Sequence, residues 1–275
     1  MEIDAHIKFE ALGHPKRLAV FRLLARRYPQ FVPAGEIAAA LGLKPNTLSA
    51  YVAHLLQTGL IQQRRQGVSI QYRVSMDQTR SLIDYFAIEC GRGRSDLVEG
   101  LQVDQPMGAE IPFNVLFICS ANSARSIFAE CILRDMGQGR FNVYSAGAFP
   151  SGTLNHRAVA LLAEKGHDTN ALRSKHLSEF QGVDAPVMDF VFTVCDQAAN
   201  EECPAWDGQP ISGHWGVADP AKATGSDAEQ NLAFQQAYGL LKNRILAFVA
   251  LPFETLDRVS LQQAVDGIAD DLETT

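Results

Sequence analysis

The stretch Val115 to Ser126, VLFICSANSARS, sets the thiol of Cys119 at the end of an apolar run, with five residues between it and the guanidinium of Arg125. Ser120, Ala121, Asn122, Ser123 and Ala124 are small or polar, so their backbone N–H groups can curl inward around an anion. A helix predicted to start near Arg125 and Ser126 adds the positive end of its dipole. Arg125 can grip two oxygens of a tetrahedral oxyanion at once. Asn122 can hydrogen-bond within the loop and hold its shape. The same positive field predicts a lowered pKa for Cys119 and hence an available thiolate. The chemistry on offer is nucleophilic attack by sulfur on a bound oxyanion.

Two further thiols lie downstream in TVCDQAANEECP: Cys195 at the end of a second apolar run, DFVFTVC, and Cys203 eight residues later. If the sheet is parallel, Cys119 and Cys195 emerge at the same edge. A phosphatase needs only the first thiol, whereas a reductase needs two electrons, which a pair of thiols forming a disulfide supplies. Two cysteines with His214 nearby make an incomplete zinc set, with spacing unlike the usual knuckles. Displacement also needs a general acid, and GHWGVADPAK offers Asp219, fixed by Pro220 in a loop. Cys131 shares an apolar helical face with Phe128, Ile132 and Leu133 and reads as core.

These groups need a scaffold. From Phe113 onward, apolar runs (113–118, FNVYSAG, DFVFTV) alternate with helical segments (RSIFAECILRDM, NHRAVALLAEKG and the long SDAEQNLAFQQAYGLLKNRILAFVA). The last opens with a capping box, Ser226 with Glu229. That alternation predicts an α/β domain with a central parallel sheet and helices on both faces. The first ninety residues are instead mostly helical in period. ALGHPKRLAVFRLLARR predicts a helix with Leu18, Phe21, Leu24 and Ala25 on one face. GEIAAALG ends at Gly42, and NTLSAYVAHLLQTG has Leu48, Tyr51, Val52, Leu55 and Leu56 on its apolar side. LIQQRR and SIQYRVS read as a hairpin around Gly67. The predicted organisation is residues 1–95, a linker over 96–111, and residues 112–275 ending in a helical extension.

The 275 residues carry a net charge of −7 that is split unevenly, about +4 over residues 1–100 and −11 over the rest. Two modules with different partners are implied. No apolar run is long enough to span a bilayer, and the N-terminus lacks a signal-peptide pattern. A cytoplasmic, reducing location is expected, with thiols that are buried, catalytic or metal-binding rather than static disulfides.

In the front module a short helix, a turn and a helix with one polar face are what a helix-turn-helix requires. The polar face offers Asn46, Thr47, Ser49, Ala50 and His54 to base edges, and Arg64 and Arg65 on the hairpin can neutralise phosphates. LGHPKRLAVFRLL, IAAALGLKPNTLSAYVAHLLQTGLI and RRQGVSIQYRV together resemble winged-helix repressors of the ArsR type. The resemblance implies a dimer on double-stranded operator DNA. Arsenite-sensing members cluster two or three thiolates, whereas this module has Cys90 alone, read here as an inert helix residue.

VLFICSANSARSIFAE, YSAG, FTVCDQAANEECP and HWGVADPA resemble, in order, arsenate reductases of the low-molecular-weight-phosphatase type. That resemblance implies that Cys119 attacks arsenate held by the loop and Arg125 while Asp219 protonates the leaving oxygen. Cys195 would then attack Cys119, and Cys203 would attack Cys195, leaving a Cys195–Cys203 disulfide for thioredoxin or another dithiol, including glutathione-linked donors, to reduce. It implies no organic cofactor. Some relatives bind potassium beside the loop, with Asn122, Glu130 and Ser145 the candidates here. The Cys195–Cys203 interval is one residue longer than in the thioredoxin-linked members. Ala221, Lys222 and Ala223 follow Asp219-Pro220, where tyrosine phosphatases of this type carry aromatics. Two alternatives stay open: a phosphatase with a DNA-binding arm, and a non-catalytic regulator that senses an oxyanion.

Overall fold

A computed structural model describes residues 2–92, 112–182, 184–201, 206 and 208–270. The chain forms two compact units, Met1–Gln105 and Pro106–Thr275. The predicted linker, residues 96–111, lies outside the described residues.

The first unit runs α1 (Glu2–Leu12), α2 (Pro15–Arg26), β1 (Val32–Pro33), α3 (Ala34–Ala40), α4 (Pro45–Gln57), β2 (Ile61–Gln66), β3 (Ser69–Val74) and α5 (Met76–Tyr85), the last running on into a π-helical turn, Phe86–Cys90. The three strands form an antiparallel sheet in the order β1-β3-β2. This is the winged helix-turn-helix arrangement, with α3 and α4 as the helix pair and β2–β3 as the wing. Pro45 starts α4, where its missing N–H costs nothing. The core joins Val20, Leu23 and Leu24 of α2 to Leu48, Val52 and Leu55 of α4. The buried line of α2 therefore differs from the expected one, for Leu18 is 39% exposed. The helix has apolar residues on more than a third of its circumference, so period alone allows two centre lines. Packing in this core selects the one through Val20, Leu23 and Leu24.

The second unit runs β4 (Phe113–Cys119), α6 (Arg125–Met136), β5 (Phe141–Gly147), α7 (His156–Glu164), β6 (Phe190–Thr193), α8 (Asp196–Asn200), β7 (Ile211–His214), α9 (Asp227–Val249) and α10 (Arg258–Asp270). Its four strands are all parallel, in the order β5-β4-β6-β7. Five consecutive residues of β4, Val115 to Cys119, are buried, as a strand covered on both faces requires. The chain leaves β4 for β5 on one side and later returns to place β6 on the other. The loops after β4 and β6 therefore diverge at the carboxyl end of the sheet, where open α/β sheets bind ligands. Ser226 and Glu229 form the expected capping box on α9. The predicted extension belongs to the fold itself. Gln262 of α10 accepts from the Ser212 amide and donates to the Ser212 carbonyl, covering the edge strand β7.

Phe192 of β6 stacks on Trp215 at 3.9 Å between ring centroids and meets Phe248 of α9 edge-on at 5.2 Å. This cluster clamps the two central strands against α9. Phe192→Ala is expected to cost about 3–5 kcal/mol. Both tryptophans of the chain, Trp206 and Trp215, lie in this unit, so denaturant unfolding followed by their fluorescence measures the loss directly. A change below about 1 kcal/mol would show that the cluster does not hold the sheet.

Candidate active site

Cys119 is the last residue of β4 and pairs in register with Gly147 of β5. The loop after it is held from outside by its carbonyls. Those of Cys119, Ser120, Ala121 and Ser123 accept from the amides of Ala148, Phe149, Ser151 and Asn155. A peptide's N–H points opposite to its C=O, so these bonds turn the amides that follow each carbonyl away from that segment. The Asn122 amide donates to Cys119 Sγ at 3.2 Å. The loop lies so close to β5 that a side chain at Gly147 would meet the Ser120 carbonyl oxygen at 2.6 Å and the Asn122 nitrogen at 3.0 Å.

Asn122 is fully buried, with φ +46, a conformation in which asparagine is among the more tolerated side chains. Its amide nitrogen donates to Ser126 Oγ at 2.9 Å and to Ser145 Oγ at 2.8 Å, and its oxygen accepts from the Lys175 amide at 2.6 Å. Ser126 Oγ lies 2.9 Å from Cys119 Sγ; a thiolate can only accept, so when the sulfur is ionised the serine hydroxyl donates to it. On the other side Ser145 donates to Glu130 Oε2, which also receives the Lys175 ammonium at 2.9 Å. A single hydrogen-bonded path thus runs from the sulfur through Ser126, Asn122, Ser145 and Glu130 to Lys175.

The path includes all three residues named for potassium. Asn122, Glu130 and Ser145 converge, and the ammonium of Lys175, itself 7% exposed, pairs with Glu130. Sequence reading missed Lys175 because it lies 53 residues from Asn122 and only the fold brings it in. Phe149 was missed as well. Its amide bonds the Ser120 carbonyl while its ring stays 66% exposed, so an aromatic surface adjoins the loop even though none follows Asp219.

Arg125 opens α6 as expected. Its Nη2 lies 3.0 Å from Asp219 Oδ2, and its Nη1 donates to the Val217 carbonyl at 3.0 Å. The guanidinium and carboxylate singled out in the sequence therefore meet beside the thiol loop. Asp219 also caps the 3-10 turn Pro220–Lys222, accepting from the Ala221 amide. Cys195 comes to the same edge: its Sγ lies 3.4 Å from Ser120 Oγ and accepts from the Ala198 amide at 3.4 Å. Cys203 lies outside the described residues. Cys131 is buried in the core, and burial pushes its thiol up to about 12. Cys90 is exposed at the end of the π-helical turn. Among the described residues no group of three or more His, Cys, Asp or Glu side chains is placed to hold a metal, and the ring nitrogens of His214 meet Thr193 and Asp196.

The electrostatics correct a second expectation. Cys119 is 2% exposed, and burial is the largest influence on it, pushing its thiol up rather than down. The Ser126 hydroxyl opposes this, Cys195 adds to it, and the Ser126 amide and the Arg125 charge pull back down. The positive groups are present as expected, but desolvation outweighs them in the buried setting.

In the first unit Asn46, Ser49, Ala50 and His54 line one exposed face of α4, and Thr47 is half-buried beside them. Arg64 and Arg65 are exposed on the wing, Arg64 with its guanidinium 4.3 Å from the Phe31 ring centroid.

A parallel sheet whose first strand delivers a thiol into an amide-lined loop, with an arginine and an aspartate at its mouth, defines a class of enzyme that attacks oxyanions with sulfur. The model for the low molecular weight phosphotyrosine protein phosphatases matches residues 114–261, more than half of the chain, and the chain belongs to this family. A helix-turn-helix domain model matches residues 12–64, so the chain joins such a domain to the enzyme. Similar proteins include an "Arsenate reductase" of Shouchella clausii, 36% identical over 136 residues, spanning 49% of this chain and 93% of that protein. An "Arsenate reductase" of Bacillus subtilis is 34% identical over 137 residues, spanning 49% and 93%. The solved structure "An arsenate reductase in the phosphate binding state" is 27% identical and covers 50% of this chain and 97% of its own, with a TM-score of 0.40. Among the described residues, no helix is long and apolar enough to cross a membrane.

Because the Ser126 hydroxyl lowers the Cys119 pKa, Ser126→Ala is expected to raise it further. The pH at which iodoacetamide begins to alkylate Cys119 should therefore move to a more alkaline value. An unmoved or more acidic onset would show that Ser126 does not stabilise the thiolate.

Proposed function

We propose that the second unit reduces arsenate to arsenite by a cysteine cascade and that the first binds operator DNA. The domain limits are taken as 1–95 and 112–275, with 96–111 as the linker. One observation carries the enzymatic reading: the loop that cradles the Cys119 sulfur also touches, through Ser120, the sulfur of Cys195. A phosphatase gives the second thiol no task. In this reading the loop amides from Ser120 to Ser126 and Arg125 hold arsenate, Cys119 attacks arsenic, and Asp219 protonates the departing oxygen. Arsenate brings its own charge to the loop, and Arg125 and Ser126 stabilise the thiolate against the cost of burial. Cys195 then displaces arsenic from Cys119, and Cys203 takes over the disulfide, which thioredoxin or another dithiol reduces. The relatives named arsenate reductases support this assignment. Residual phosphatase activity rests on Phe149, whose exposed ring beside the loop suits an aromatic ester.

The test uses purified protein, arsenate and a thioredoxin system. Cys119→Ser is expected to abolish arsenite formation. Cys203→Ser should release about one arsenite per chain and then stop. Continued turnover by Cys203→Ser at the wild-type rate would sink the cascade.

For the first unit, the exposed apolar side chains Ile83, Phe86 and Ile88 on α5 and the turn after it support a homodimer formed through this unit. Gel shifts with the DNA upstream of the protein's own coding sequence, against random duplex, test the DNA reading. Asn46→Ala with His54→Ala should remove the preference for the upstream DNA, while Arg65→Ala should weaken both complexes alike and shallow their salt dependence. Phe86→Asp should give a monomer by sedimentation. Equal binding of upstream and random DNA by the wild type would refute operator recognition, and a dimeric Phe86→Asp would refute this interface.

A further inference from the structure

Three side chains beside the second thiol have no task in the cascade: Thr193, Asp196 and His214. Thr193 ends β6 and His214 ends β7, and the two are register partners across the parallel pair. Thr193 Oγ1 lies 2.8 Å from His214 Nδ1. His214 Nε2 lies 3.1 Å from Asp196 Oδ1. A carboxylate only accepts, so Nε2 carries the hydrogen toward Asp196. His214 is 1% exposed, whereas the Asp196 side chain is 57% exposed, so the imidazole is the fixed partner and the carboxylate is held by it.

Asp196 is the first residue of α8, directly after Cys195, and Cys195 is that helix's N-cap. The bond from His214 therefore ties the first turn of α8 to the ends of two strands. The same turn supplies the Ala198 amide that points at Cys195 Sγ, whose other neighbour is Ser120 Oγ in the cradle. The backbone leaves room for this tie. A side chain at Gly216 would stand 2.6 Å from His214 Nε2 and 2.7 Å from Asp196 Oδ1.

We propose that Asp196 and His214, backed by Thr193, are positioning residues that aim the Cys195 thiol at Cys119 for the first sulfur exchange. The inference rests on the arsenate reductase reading. In that step Cys195 gives its proton to solvent and its sulfur attacks Cys119 Sγ in the thiol–arsenic adduct. A sulfur–sulfur bond forms and the sulfur–arsenic bond breaks. Its electron pair stays on arsenic, so arsenic(V) becomes arsenic(III) and departs as arsenite, while two thiols become one disulfide. Attack must be nearly in line with the breaking bond, so a thiol displaced by about 1 Å loses on the order of 10²-fold in rate. A five-residue helix cannot set that aim by itself, since so short a helix is marginal without an outside anchor.

The test is a single turnover of the full chain, reduced beforehand and mixed with arsenate without added dithiol, with quenched samples assayed for arsenite. Alkylation of Cys119 by iodoacetamide, and its protection by inorganic phosphate, reports the cradle in each variant. Asp196→Ala alters an exposed side chain. It is expected to slow arsenite release at least tenfold and leave Cys119 alkylation and phosphate protection within about twofold. Asp196→Asn keeps an oxygen that can accept from His214 and should restore most of the rate. Gly216→Ala should slow release as Asp196→Ala does, with both partners still present. Arsenite release by Asp196→Ala at the wild-type rate would overturn the proposal. So would an Asp196→Asn variant as slow as Asp196→Ala, or loss of phosphate protection in Asp196→Ala, which would make the group a support of the cradle. If the wild type itself releases no arsenite, the reductase reading fails first and this inference falls with it.

Discussion

Burial opposes ionisation of the Cys119 thiol, and the polar groups gathered around it in the second unit act against that burial. They form a chain of hydrogen bonds rather than a single counter-charge. Asn122 stands at its centre, in a backbone conformation few side chains adopt, with both its amide hydrogens and its oxygen engaged. Asn122 donates to the oxygen of Ser126, and once the sulfur is ionised the serine hydroxyl donates to it in turn. Each buried polar group in the path is satisfied, which matters because an unpaired one would cost about 1–3 kcal/mol.

The same network explains how a loop of small residues keeps one shape. Its carbonyls are bonded outward to the segment after β5, and its asparagine is bonded across to Ser145 and Lys175. Lys175 contributes through both its ends, with the backbone amide on Asn122 and the ammonium on Glu130. The cation that faces Glu130 is thus supplied by the chain itself. The sulfur's surroundings are thus fixed by folding rather than assembled when an anion arrives, the condition under which electrostatic stabilisation is most effective.

The two thiols come to one edge of the sheet because of topology. Strand order β5-β4-β6-β7 sets β6 directly beside β4, so residues just beyond their carboxyl ends share one rim. The adjacent strand β7 adds His214 and, beyond it, the loop with Asp219. Three neighbouring strands therefore deliver a thiol, a second sulfur and a carboxylate to one edge. The helices do the fixing: α6 presents Arg125, and α10 shields the open side of β7.

Much of this was legible in the chain. The run of buried residues before Cys119, the small-residue loop, the arginine at a helix start and the capping box of α9 are local features, and local sterics and periodicity specify them. The polar face of α4 and the turn at Gly42 were legible for the same reason. Long-range decisions were not. Two centre lines for α2 are equally periodic, and only packing within the core chose between them. The arrival of Lys175 beside Glu130, the closeness of His214 to Asp196 and the exposed ring of Phe149 beside the loop all join residues distant in sequence or depend on a turn's exact path. The pKa of Cys119 shows the division most sharply. The sequence determined which groups surround the sulfur, since dipoles and charges travel with residue types. Only the tertiary structure decided how much water is excluded, and exclusion of water is the larger force on a buried thiol.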